Sequence, residues 1–82
     1  MRIKRDVPKE ITEKINTVGR TIATLRLSKN MTQEKLAYGV GIAKSYVGYI
    51  EQGKANPSIE TLLLLATGLD CSILDLLQDI DN

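Results

Sequence analysis

The middle of this 82-residue chain carries two short apolar stripes separated by one glycine. Thr32 reads as an N-cap for a helix from Gln33 to about Val40, in which Leu36 and Val40 face inward. Gly41 ends it and supplies a turn. A further helix follows from Ala43 to Gln52, with Val47 and Ile50 as its apolar stripe and Gly53 as its stop. Leu36, Ile42, Val47 and Ile50 clamp the two together, and Ala37 is small where they must cross closely. The rest of the chain has to be arranged around that pair.

Its flanks are helical too. Ile11, Ile15, Val18, Ile22 and Leu25 recur at alternating steps of four and three, one face of a helix running from about Lys9, after Pro8, to Ser28. Gly19 inside it marks either a break or a close contact, and Asn30 is a left-handed terminator. Asn56-Pro57-Ser58 marks a turn and a cap, after which a helix carries Ile59, Leu62, Leu63, Ala66 and Leu69. Ser72 to Asp75 forms a capping box, with Asp in place of the usual Glu, that starts a last helix from Ile73 to about Ile80. No stretch alternates with the period of a strand. The expectation is an all-α fold, a compact five-helix bundle in a single domain.

Composition removes several function classes. Histidine is absent and cysteine occurs once, so zinc clusters, disulfide frameworks and His-assisted nucleophiles are excluded, and no cofactor or metal is expected. The longest apolar run, Leu62 to Ala66, is far below the ~18 residues of a membrane span. Met1 to Arg5 is not followed by the apolar stretch of a signal peptide, so a cytoplasmic protein without a membrane partner is expected. The net charge of +1 hides a gradient. Residues 1–30 hold eight bases against three acids, whereas residues 55–82 hold five acids and no base. One end suits an anionic partner and the other is repelled by it, unless both are merely solvated.

Two short helices about a glycine turn are the signature of a helix-turn-helix. The run Thr32-Gln33-Glu34-Lys35-Leu36-Ala37, then Val40-Gly41-Ile42, Val47 and Ile50-Glu51-Gln52-Gly53, followed by Asn56-Pro57-Ser58-Ile59-Glu60-Thr61-Leu62, resembles the Cro and phage-repressor (xenobiotic-response-element) helix-turn-helix family. The likeness spans roughly Val18 to Leu77. Residues 17–80 therefore read as a repressor-like DNA-binding domain. Residues 1–16 form a basic extension that either continues the first helix or lays Arg2, Lys4 and Arg5 on the DNA backbone. The resemblance implies a sequence-specific transcriptional regulator, similar to phage or plasmid repressors and the small controllers of restriction–modification systems.

It also implies that helix 44–52 enters the major groove of double-stranded DNA. At roughly 100° per residue, Val47 and Ile50 point one way and Lys44, Ser45, Gly48, Tyr49 and Gln52 the other. Lys44 and Ser45 are expected to reach base edges, with Tyr49 on a thymine methyl or a phosphate. Gly48 leaves the duplex room. Gln33 matches the family's phosphate-binding glutamine at a helix N-terminus. Tyr46, Gln52, Lys54 and Asn56 are expected on the DNA backbone, and Tyr38 reads as packing or rim. Ala43 stands where the family has a Ser or Thr cap, leaving that helix start without a side-chain acceptor.

Leu64 and Leu74 stand where relatives of this kind carry polar residues. They add to more leucine than one small core needs, so a homodimer through the last helix is expected, with Leu64, Leu74, Leu77 and Ile80 at its interface. Such a dimer fits a (pseudo)palindromic operator. The alternative is an antitoxin that represses its own operon and binds a toxin through this acidic, leucine-rich end; RNA polymerase is a further candidate partner. Cys71 reads as an inert core thiol. An enzyme has little support, because the acids of residues 70–81 lack a basic or metal-binding complement and no glycine-rich phosphate loop occurs.

Overall fold

The computed structural model describes residues 7–81, which form five helices and no strand. These are α1 (Lys9–Ser28), α2 (Gln33–Val40), α3 (Lys44–Glu51), α4 (Ile59–Gly68) and α5 (Ile73–Leu76). Arg2, Lys4 and Arg5, the bases of the expected arm, lie outside the described residues.

Local chemistry sets the ends. The Thr32 hydroxyl accepts the Lys35 N–H at 2.9 Å, and the Ser58 hydroxyl accepts that of Thr61 at 3.1 Å. Ser72 and Asp75 cap each other reciprocally, the Asp75 carboxylate accepting the Ser72 N–H at 2.9 Å. Each such cap satisfies an N–H that the helix leaves orphaned, for about 1 kcal/mol. Asn30 (φ 57°) and Gly41 (φ 76°) turn the chain out of α1 and α2 through the left-handed region. Asp70 does the same after α4, at φ 54°, without a turn signature in the sequence around it.

The last helix is shorter than its pattern suggests. α5 stops at Leu76 instead of continuing to Ile80, and residues 77–81 are turns. Asp79 and Asp81 are carboxylates where a longer helix would present its negative end, an unfavourable place for acids. The chain instead bends back, placing Ile80 against the core and the Asp81 carboxylate 2.7 Å from the Lys14 ammonium of α1.

α3 packs on α1 and α2, α4 on α2 and α5, and α5 returns to α1, closing the ring. At the centre lie Val18, Ile22, Leu36, Ala37, Val47, Ile50, Leu62, Leu65, Ala66, Leu69 and Leu76. α1 runs unbroken through Gly19, which is instead a point of close approach to α3: a side-chain carbon there would collide with the Ile50 carbonyl oxygen. Three residues of the expected apolar stripes stay in solvent. Ile11 lies on the first turns of α1, and Ile59 and Leu63 lie on a side of α4 turned away from the core.

Candidate nucleic-acid interface

α3 is anchored by two side chains. Val47 is fully buried and Ile50 nearly so, while Lys44, Ser45, Tyr49 and Gln52 are all exposed. The N-terminus of α3 is open, because Ala43 provides no side-chain acceptor and no acid occupies the first turn. Its free N–H groups and the Lys44 ammonium therefore make a positive end, suited to an anion or to the acceptor-rich edge of a base pair.

The other expected backbone contacts divide. Lys54 and Asn56 are exposed in the α3–α4 connection, where the Lys54 N–H donates to the Tyr49 carbonyl at 2.8 Å. Tyr46 is half-buried and packs against the core, so only part of its ring is free. Tyr38, expected as packing or rim, is 91% exposed near the C-terminal end of α2, so it is not a packing residue of this chain's core. Gly48 is buried rather than open: its α-carbon faces the Gln33 carboxamide, whose oxygen would lie 3.6 Å from an added Cβ. Gln33 thus reaches across from the first residue of α2 onto the middle of α3.

Two further residues hold this corner. Arg26 donates from Nε to Glu51 Oε2 at 2.8 Å, from Nη2 to Glu51 Oε1 at 3.0 Å, and from Nη1 to the Met31 carbonyl at 2.7 Å. Gln33 Nε2 adds a third donor to the carboxylate, at 2.9 Å from Oε1. Donating these hydrogen bonds to Glu51 holds the Arg26 proton more tightly than usual, against the opposing effect of burial. The pair ties α1 to α3 and to the loop before α2. A sequence signal existed for both: Arg26 stands four residues after Ile22, and Glu51 four after Val47, on stripes that are otherwise apolar. A charge on a buried stripe needs a charged partner.

Away from α3, Ile59, Glu60, Leu63, Leu64 and Thr67 line an open, mostly apolar depression of about 420 Å³ on α4. Leu64 and Leu74, both expected at an interface, are exposed, Leu74 by 74%. Leu77 and Ile80 are half-buried, and both pack against the core of their own chain. Among the described residues no helix is long and apolar enough to cross a membrane.

The helix-turn-helix family pattern matches residues 22–76. The chain belongs to this family. Among relatives of this helix-turn-helix protein is the control protein C.BamHI of Bacillus amyloliquefaciens, 37% identical over 73% of this chain and 75% of its own length. The crystal structure of the restriction–modification controller C.AhdI from Aeromonas hydrophila matches with a TM-score of 0.77 at 38% identity, covering 78% of this chain and 97% of that one. The controller C.Esp1396I, crystallised as a tetramer on its natural 35 base-pair operator, matches with a TM-score of 0.75 at 32% identity, covering 83% and 90%.

Proposed function

We propose that this protein is a sequence-specific DNA-binding transcription regulator that reads a (pseudo)palindromic operator as a homodimer. The observation that carries the reading is the two-sidedness of α3. Val47 and Ile50 are sealed in the core, while Lys44, Ser45 and Tyr49 project into solvent beside an uncapped helix N-terminus. Lysine suits the O6 and N7 acceptors of guanine, and serine pairs with little selectivity. Gln33, Lys54 and Asn56, with Gln52 and the free edge of Tyr46, are assigned to the backbone. The operator complex of C.Esp1396I supports the reading for a chain of the same fold.

The dimer is assigned to the apolar surface that one chain leaves uncovered. Leu64 and Leu74 remain in it, Ile59 and Leu63 join it, and Leu77 and Ile80 contribute only their outer edges. A twofold dimer sets two copies of α3 about 34 Å apart, the spacing of half-sites one duplex turn apart. The five acids of residues 55–82 then stand clear of the phosphates. Such a protein works in the cytoplasm, on the DNA. The relatives described above are named as controllers, and the antitoxin alternative gains no support from them. Repression or activation follows from where the operator lies relative to a promoter.

Selection from a pool of random duplexes, followed by footprinting and sedimentation of the complex, tests the reading. One preferred site with twofold symmetry, holding protomers in pairs, is the expected result. Equal binding of all duplexes at low ionic strength overturns it.

A further inference from the structure

The Arg26–Glu51 pair lies beside the proposed DNA contacts and is largely withdrawn from solvent: its side chains are only 11% and 6% exposed. Glu51 also accepts from Gln33, the first residue of α2 and the proposed phosphate contact. We propose that Glu51 is a positioning residue for DNA binding, fixing the Gln33 carboxamide so that its free N–H meets a backbone phosphate without prior ordering. The inference rests on the DNA-binding reading above and goes beyond it by naming what holds the contact in place.

The chemistry leaves one orientation. A carboxylate only accepts hydrogen bonds, so the amide nitrogen of Gln33 must face Glu51; turned over, the amide would set oxygen against oxygen. One N–H is then spent on Glu51 and the second is left to point away. Gly48 closes the other side, with no Cβ between the carboxamide and the α3 backbone. A glutamine side chain has three torsions to immobilise, and here the protein immobilises them before DNA arrives.

A carboxylate near a phosphate would normally oppose binding. Arg26 removes that objection by neutralising Glu51 through two hydrogen bonds, while its third donor is held by the Met31 carbonyl. The pair therefore orients Gln33 without adding net charge to the surface. It also joins the three elements that must keep their relative placement on a duplex, namely α1, the start of α2 and the end of α3.

The test is a double-mutant cycle read in DNA affinity, on the duplex the wild-type chain selects and on a scrambled duplex of equal length. Gln33→Ala is expected to weaken both by about tenfold, since a phosphate contact is blind to sequence. The paired substitution Arg26→Met with Glu51→Met keeps volume and removes both charges, a replacement that commonly preserves stability. It is expected to keep the melting temperature and to weaken binding by a similar factor. Adding Gln33→Ala to it is expected to cost less than about twofold more, because the contact has already lost its support. Glu51→Gln, assayed where circular dichroism shows full folding, replaces the Met pair should that pair melt early. Its carboxamide can swing a donor toward Gln33, and the same loss of additivity is expected. Wild-type affinity in the charge-free background, an unchanged cost of Gln33→Ala there, or a silent Gln33→Ala in the wild type each overturns the positioning while DNA binding stands. A wild-type chain that selects no duplex sinks the DNA-binding reading, and the positioning with it.

Discussion

The α-carbon of Gly19 lies against the carbonyl oxygen of Ile50 so closely that a methyl group at position 19 would overlap that oxygen. This contact sets how near α1 comes to α3. On an isolated helix, Gly→Ala stabilises by about 1 kcal/mol. Here the obstacle is backbone rather than a yielding side chain, and overpacking typically costs 1–3 kcal/mol, sometimes more. The second effect wins. Gly19→Ala is expected to destabilise by about 2 kcal/mol or more, read as a lower urea midpoint at unchanged slope. A midpoint that rises would mean α1 can slide freely past α3.

Lys44 is the first residue of α3 and is exposed, so its loss should leave folding within about 0.5 kcal/mol of wild type. Lys44→Ala is expected to cost about 1–3 kcal/mol on the selected operator and less on a scrambled duplex. Fluorescence anisotropy on the two duplexes measures the difference. Equal losses on both would make Lys44 a phosphate contact.

The exposed leucines of α4 and α5 predict a contrast with the packed one that follows them. Leu63 and Leu74 are at least half exposed, so lysine at either position costs the single chain little. Each substitution is expected to shift sedimentation toward the monomer and weaken operator binding. Leu77→Lys should instead lower the melting temperature, because Leu77 packs on its own core. A Leu63→Lys, Leu74→Lys double variant that keeps the wild-type mass removes this face as the interface.

What could be read in advance followed the physics of short range. Caps at Thr32, Ser58 and Ser72, and the left-handed stops at Asn30 and Gly41, depend on neighbours three or four residues away, and the sequence alone places them. α5 departs from its pattern: helical periodicity runs on to Ile80, but the acids at its end and the pull of Lys14 on Asp81 act through dipole and tertiary contact. Within the site, a helical wheel sorted Lys44, Ser45 and Tyr49 from Val47 and Ile50. It misplaced Gly48, since a wheel does not know that Gln33 of another helix leans over that position. The pairing of Arg26 with Glu51 is hidden from local patterns for a related reason. Each looks like an ordinary surface charge until its stripe is traced, and their partnership spans 25 residues.

Cys71 supplies a pH prediction with a definite sign. It packs beside the core, where burial raises its thiol pKa, Asp75 and Asp70 reinforce that rise and Lys29 opposes it. A thiol whose pKa is higher in the folded chain than in the unfolded one favours folding while it keeps its proton. That contribution is whole below the unfolded value of about 8.5 and is lost as pH climbs through the folded value. Stability should therefore fall on the alkaline side. The measurement is the difference between wild type and Cys71→Ala in denaturant midpoint at pH 7 and again near pH 10, which isolates the thiol from every other group. The gap is expected to narrow at high pH, because the variant has no thiol to lose a proton. In the same range Cys71 should react with thiol reagents more slowly than free cysteine, as its thiolate is scarcer. Parallel midpoints at both pH values, with labelling as fast as free cysteine, would show a thiol that feels neither its burial nor the two carboxylates.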